Sequence, residues 1–350
     1  MRSEDVEVET DLERYVSSLR TGSSAANRAE HAAGIRPASF LDARPLDAFI
    51  CLRLANSAHV SLEDIRSAGA HTLPPRTTPF AIVASTKEEA IELARFLRRG
   101  DFKGVGWSAR GAFAGDEHFF RECEKIDGQD EIDGLHRYVR LARGEPRADE
   151  RLRLWEPSRD FARWLPEVER RLLLKTSERL TCVDFGSGSG RDAVWAASRG
   201  WNVIAIDNDA RGLARCAQLA SFHGVDEHVR PLCVDLRKSS SESVFDSIES
   251  LISCESWADV SLAYAVRYLH KPLFRDFNCL LPYRCAVMIF HFMRGCENSE
   301  VGRPTKDRDL LEIGELRDAF SAQDWTTVVN EVVHLPDGRP ISAFVTFRAS

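Results

Sequence analysis

The sequence predicts an α/β chain with two parallel β-sheets in succession, each flanked by helices. Three observations predict it. Short apolar runs bounded by Pro, Gly, Ser or Thr alternate with stretches of helical spacing, and strand–helix–strand order implies a parallel sheet with helices on its faces. That alternation occurs twice, on either side of a stretch dominated by charge. A length of 350 residues, 43% hydrophobic and 29% charged, suits two globular domains with sizeable cores.

In chain order, residues 1–36 are polar and rich in Ser, Ala, Glu and Arg, which predicts a flexible N-terminal segment with one short helix at DLERYVSSLR. The first block covers 37–122. ASFLDARP reads as a strand ending in a turn, and TTPFAIVAS as a second strand. KEEAIELARFLRRG is a helix closed by glycine, and FKGVGWSA reads as a further strand. Residues 123–150 form a charged linker, helical in part at LHRYVRLA. The second block is 151–350. It opens with an amphipathic helix in RLWEPSRDFARWLPEVERRLLL, whose Trp155 and Trp164 pack it on a sheet. TCVDFGSG (strand), RDAVWAASRG (helix), NVIAIDND (strand), ARGLARCAQLASFHG (helix) and VRPLCVDL (strand) follow. SSSES at 239–243 reads as a loop, and ADVSLAYAV, CAVMIFHFM, TTVVNEVVHL and ISAFVTFR are strand-like.

The chemistry lies in Gly186-Ser187-Gly188-Ser189-Gly190, between a strand and a helix. Bare glycines admit a ligand close to the backbone, and a helix N-terminus offers free N–H groups. A dinucleotide fingerprint needs its third glycine one residue later, where Arg191 stands. Asp184 would repel a pyrophosphate, whereas it favours a ligand carrying an α-ammonium group. The implied ligand is an amino-acid-bearing nucleoside, S-adenosylmethionine, and a dehydrogenase-like reading is disfavoured. Asp207, with Asn208 beside it, ends the next strand and suits the ribose hydroxyls. Asp235 suits the adenine amine, with the Leu236 N–H donating to a ring nitrogen.

VDFGSGSGRDA, VIAIDND and LCVDL resemble the first three motifs of the class I S-adenosylmethionine-dependent methyltransferases. The resemblance implies a Rossmann-like seven-stranded methyltransferase sheet with helices on both faces. It assigns Asp184, Gly186, Ser187, Gly188, Gly190, Asp207, Asn208, Asp235 and Leu236 to the cofactor. AVRYLHKPLFRDFNCLLP, VMIFHFMRGCENSEVGRP and LLEIGELRDAF resemble the tellurite-resistance-like small-substrate group. That likeness implies a small-molecule acceptor and places Tyr264, Arg267, His270 and His291 as candidate catalytic residues. Each also has a plain structural reading: core aromatic, ion-pair partner, helix end and packed strand residue.

The first block resembles a rhodanese-like domain. Asp42 and Arg44 match its D-x-R element, and residues 79–97 match its strand, loop and helix. Ala84 and Ser85 stand where the family carries its cysteine, and Glu89 where an arginine is frequent. A persulfide carrier needs a thiolate. No sulfurtransferase activity is therefore expected, and the domain is expected to dock a protein partner or to regulate.

Composition narrows the remaining classes. A net charge of −7 disfavours a nucleic-acid partner for the chain as a whole. No secretory signal and no membrane span are expected. Nine scattered cysteines without a CxxC pair predict neither a disulfide framework nor a thiolate metal site, and suit a reducing, cytoplasmic setting. Two rival readings are an RNA or protein methyltransferase that uses the first domain to dock its substrate, and a cofactor-binding scaffold without turnover.

Overall fold

The computed structural model describes residues 8–12, 14–16, 40–67, 72–74, 76, 78–99, 107–128, 140–146, 152–172, 179–299, 301–335 and 337–349. The chain divides into two compact units, Met1–Glu156 and Pro157–Ser350. Among the described residues, no helix is long and apolar enough to cross a membrane.

The first unit contains β1 (Phe40–Asp42), α1 (Leu46–Cys51), β2 (Arg53–Leu54), β3 (Ser57–His59), α2 (Leu62–Ser67), β4 (Phe80–Ala84), α3 (Lys87–Arg99), β5 (Ala109–Ala114), α4 (Glu117–Gly128) and β6 (Leu141–Ala142). Its main sheet has the order β3-β1-β4-β5, with every pairing parallel. The inner strand β4, FAIVA, is buried along its whole length, which explains its unbroken apolar run. α3 buries Ala90, Leu93, Ala94 and Leu97, a stripe at helical spacing.

Three expectations for this unit are corrected. The strand expected at FKGVGWSA starts at Ala109, where that segment ends, and Trp107 instead donates its Nε1–H to the Pro74 carbonyl at 3.1 Å. Residues 102–106 lie outside the described residues. Within the strand, ARGAFA, Gly111 is bare because its neighbours are close: a Cβ there would meet Ala81 Cβ at 2.8 Å. Leu141–Ala142, expected to be helical, is a strand antiparallel to β2, and residues 135–139 lie outside the described residues. Within the segment expected to be flexible, Val8, Leu12, Tyr15 and Val16 are packed. Glu9 bridges Gly111, and the Tyr15 ring is buried edge-on against Phe40 and Phe113. The helical turn within that segment is the one expected there.

The second unit holds α5 (Arg159–Leu172), β7 (Thr181–Phe185), α6 (Arg191–Ser198), β8 (Asn202–Asp207), α7 (Ala210–Phe222), β9 (Val229–Cys233), α8 (Ser241–Glu255), β10 (Val260–Val266), α9 (Lys271–Leu280), β11 (Ala286–Phe292), α10 (Glu315–Ala319), β12 (Trp325–His334) and β13 (Pro340–Arg348). Its seven-stranded sheet has the order β12-β13-β11-β10-β7-β8-β9. Only the pairings of β13 are antiparallel. The chain runs outward from β7 to β9 and then returns to β10 on the other side. The switch point therefore lies between β7 and β10, where open α/β sheets bind ligands beyond the strand ends.

One reading changes here. SSSES is not a loop: Ser240 caps α8, its hydroxyl accepting from the Ser243 N–H at 3.2 Å. Val244, Phe245, Ile248 and Ile252 then form the buried face. Trp155 precedes α5 and is buried. α5 buries Phe161, Leu165 and Val168, together with Glu169, which accepts from Trp201 Nε1 at 3.0 Å and pairs with Arg199.

Candidate functional site

The loop after β7 turns on three left-handed glycines: Gly186 (φ +83°), Gly188 (φ +56°) and Gly190 (φ +75°). They are bare for three different reasons. A Cβ on Gly186 would lie 2.4 Å from the Tyr268 ring, and one on Gly190 would lie 2.1 Å from Cys216 Sγ in α7. A Cβ on Gly188 would meet nothing within 4 Å. Gly188 is thus the glycine that faces open space, and Gly190, expected to serve a cofactor, has a packing reason of its own. α7 in turn carries Gly212, where a Cβ would meet the Gly188 carbonyl at 2.8 Å.

Hydrogen bonds fix this loop. The Gly186 and Ser187 N–H groups both donate to the Ile206 carbonyl at 2.9 Å. Asp207, at the end of β8, accepts from the Gly188 N–H at 2.8 Å and the Asp209 N–H at 2.9 Å. Two bonds leave a carboxylate with room to accept more. The Ser187 hydroxyl is buried without a partner.

Asp184 sits next to the end of β7, opposite Tyr264 of β10 in the strand register. Its carboxyl is held well above the ordinary range by burial, with the Asp192 carboxylate adding to the shift. Asp192, in the first turn of α6, is raised by burial and accepts from the Ser158 N–H at 2.5 Å. Tyr264 is fully buried and stacks on Phe161 with ring centroids 4.4 Å apart. Its hydroxyl couples electrostatically to Asp184 yet lacks a hydrogen bond of normal geometry. A buried carboxylate, an orphan hydroxyl and an open glycine together fit a ligand with a cationic amino-acid end.

Asp235 lies two residues beyond the end of β9, not in the strand. It accepts from Lys238 Nζ at 3.1 Å and the Arg237 N–H at 3.1 Å, and the Lys238 ammonium holds it below its ordinary value. Asn208 also hydrogen-bonds to it, and Leu236 is buried in the core.

The electrostatic neighbours of the four catalytic candidates differ: Tyr264 and Arg267 have Asp192 within reach, whereas His270 and His291 have Arg237. His270 is the N-cap residue of α9, its side chain makes no capping bond, and burial lowers its pKa. His291 is buried, and its Nε2–H donates to the Asp309 carbonyl at 3.1 Å. Burial pushes its pKa down to about 4, so the ring is neutral with Nδ1 unprotonated and unpartnered. Among the described residues, no cluster of three or more His, Cys, Asp or Glu side chains is placed to hold a metal ion.

Sequence reading missed Tyr268, Asp192 and Arg237. Tyr268 adjoins the quoted Arg267, and its half-buried ring covers Gly186 while burial raises its phenol. Asp192 was legible only as an acid in a helix first turn, and Arg237 only as the neighbour of Leu236.

Residues 183–270 match a family described as "Methyltransferase domain". A search of curated proteins finds no match. Similar solved structures include the 1,6-didemethyltoxoflavin-N1-methyltransferase of Burkholderia thailandensis, with bound S-adenosylhomocysteine. It is 15% identical over 55% of this chain and 79% of that one, with a TM-score of 0.37. Geranyl diphosphate C-methyltransferase of Streptomyces coelicolor A3(2) is 14% identical over 53% and 79%, with a TM-score of 0.35. TehB from Haemophilus influenzae is 11% identical over 53% and 62%, with a TM-score of 0.37. The family match runs from β7 to the start of α9, so the glycine loop and the acids at the strand ends lie within the part of the second unit that matches a methyltransferase domain.

Proposed function

We propose that the chain transfers a methyl group from S-adenosylmethionine to a small molecule. The observation that carries this reading is Gly188, open to the crevice and tied to Asp207, with the buried Asp184 carboxylate at the adjoining strand end. When bound, S-adenosylmethionine supplies an electrophilic methyl group on a sulfonium. Asp184 takes the ammonium end, which offsets the cost of burying its charge. Asp207 accepts from the ribose hydroxyls with its remaining lone pairs, while Asp235 and Leu236 face the adenine. The protein's main contribution is to hold nucleophile and methyl in line. Where the acceptor is protonated, His270 or His291 would serve as its base, His291 only weakly because burial pushes its pKa down to about 4; an anionic acceptor needs neither.

The first unit, on this reading, is a rhodanese-like module that carries no sulfur, in a cytoplasmic protein. Its D-x-R pair is wiring. Arg44 donates to both Asp42 oxygens, at 2.9 and 2.7 Å, and to the Leu52 carbonyl at 2.7 Å. The loop after β4 is a capping box: the Glu89 N–H donates to Thr86 Oγ1 and the Thr86 N–H to Glu89 Oε2. That arrangement leaves Glu89 a local task and the loop without a thiol.

The test is transfer of labelled methyl into a cell extract split by size, with Asp207→Ala as control. Asp207→Ala is expected to weaken S-adenosylhomocysteine binding by about 1.5–3 kcal/mol, the range for a hydrogen bond to a charged group. Asp207-dependent label in the small-molecule fraction is the expected result. Label on RNA or protein would transfer the substrate role to a macromolecule, and binding without any transfer would leave a scaffold.

A further inference from the structure

The Tyr268 side chain lies against the glycine loop. A Cβ on Gly186 would meet Tyr268 Cγ at 2.4 Å, its Cβ at 2.5 Å and its Cδ2 at 2.7 Å, so the side chain rests on bare backbone. Tyr268 also packs against the core of the second unit, yet it stays only partly buried. The chain before it is turned to allow this. Arg267, directly after β10, adopts φ +56°, a left-handed conformation that a non-glycine residue adopts at a cost, and its N–H donates to the Phe290 carbonyl at 2.7 Å. Such strain persists where the surroundings impose it, and it clusters at ligand sites.

Gly186 stands between the two acids that would take the ends of the cofactor. It follows Asp184 by two residues, and Gly188, two residues on, donates to the Asp207 carboxylate at 2.8 Å. The Gly186 and Ser187 N–H groups both reach the carbonyl of Ile206, the residue before Asp207. In S-adenosylmethionine the sulfonium links the amino-acid end to the ribose. With the ammonium on Asp184 and the ribose on Asp207, the sulfonium passes beside Gly186, where Tyr268 forms the wall. The face of an aromatic ring attracts a cation. Arginines stack on other rings of this chain, Trp195 and Phe292 among them. Among the described residues, no cation and no second aromatic ring stacks on Tyr268. Burial raises its phenol, so the ring is neutral, and Asp207 and Asp235 within electrostatic reach also favour a cation beside it.

We propose that the Tyr268 ring contacts the sulfonium and selects the cationic cofactor over its neutral product, S-adenosylhomocysteine. The role rests on the methyltransferase reading and adds a specificity-determining residue to it. Transfer of the methyl leaves the bonding pair on sulfur as a neutral thioether, which the ring no longer attracts. The wall therefore favours exchange of the product for fresh cofactor.

The experiment titrates the full chain by calorimetry with S-adenosylmethionine, with sinefungin, which carries an ammonium in place of the methyl sulfonium, and with neutral S-adenosylhomocysteine. The variants are Tyr268→Leu, Tyr268→Phe and, as a remote control, Arg317→Gln. The quantity read is the affinity for each cationic ligand divided by the affinity for S-adenosylhomocysteine. Tyr268→Leu is expected to lower both ratios about fivefold or more, within the span of cation–π contacts. Tyr268→Phe is expected to keep them, and Arg317→Gln to match the wild type. A merely structural role lowers all three affinities alike and leaves the ratios unchanged, which overturns the proposal. Tighter binding of all three ligands in Tyr268→Leu also overturns it, because the ring would then be an obstruction. Melting temperatures confirm that the variants fold, and Tyr268→Met supplies the same comparison if Tyr268→Leu does not. Binding of S-adenosylhomocysteine to the wild type is read independently. Its absence sinks the cofactor reading, whereas its presence beside unchanged ratios sinks only this inference.

Discussion

Alanine at Gly188 and alanine at Gly190 are chemically the same change two residues apart, and the structure predicts opposite consequences. Both positions have positive φ, at +56° and +75°. An L-residue there costs about 1–2 kcal/mol, of which about 0.4–1 returns because the unfolded chain loses glycine's freedom. The net backbone effect is therefore about 1 kcal/mol at either site. At Gly188 that is the whole cost, since the new methyl meets nothing within 4 Å. At Gly190 the methyl would sit 2.1 Å from Cys216 Sγ, 2.5 Å from its Cβ and 3.1 Å from its Cα. Overpacking of this kind adds about 1–3 kcal/mol. Gly190→Ala should thus be about 1–3 kcal/mol less stable than Gly188→Ala. Gly188→Ala should instead lose S-adenosylhomocysteine affinity, because its methyl enters the open crevice. Two units need not unfold together, so hydrogen exchange of the β7 and β8 amides gives the stability of the second unit. Calorimetry gives the affinity. Adding Cys216→Gly to Gly190→Ala removes the two nearest atoms and should recover part of the loss, beyond additivity of the single changes. Equal stability of the two alanine variants, or full affinity in Gly188→Ala, would refute the division of labour among the glycines.

Three other outcomes follow from named groups. Asp184 has a raised pKa in the ligand-free chain, so a cationic ligand that ionises it should release a proton on binding. Affinity should then increase with pH through that pKa, and calorimetry in buffers of different ionisation enthalpy checks the release; Asp184→Asn should abolish both the release and most of the affinity. His291 has a folded pKa near 4 against an ordinary 6.5, so the unfolded chain binds the proton more readily. Its contribution is present above pH 6.5 and is lost as pH falls towards 4, a change of about 3 kcal/mol that should be missing from the pH profile of His291→Asn in the exchange measurement. Arg44→Ala should destabilise the first unit by about 3–5 kcal/mol, because it leaves the buried Asp42 carboxylate uncompensated. Arg44→Ala/Asp42→Ala should then be no worse than the single variant, which urea unfolding followed in the first unit would test.

The sequence by itself determined the strand and helix periods of both units, the glycine string, and the three acids at or near successive strand ends. These signals are local: apolar alternation, a helical stripe and a turn requirement are each complete within about ten residues. Where local signals were weak, the reading slipped. ARGAFA lacks the branched residues that mark a strand, and SSSES resembles a loop until Ser240 is recognised as the cap of α8. Tertiary structure alone decided which partner each glycine faces, because Tyr268 and Cys216 are remote in sequence from Gly186 and Gly190 and reach them only through the sheet and α7. It also tied His291 to the Asp309 carbonyl. Spacing along a chain sets which residues share a face. Which groups meet across the crevice depends on strand order, and strand order is a property of the folded sheet.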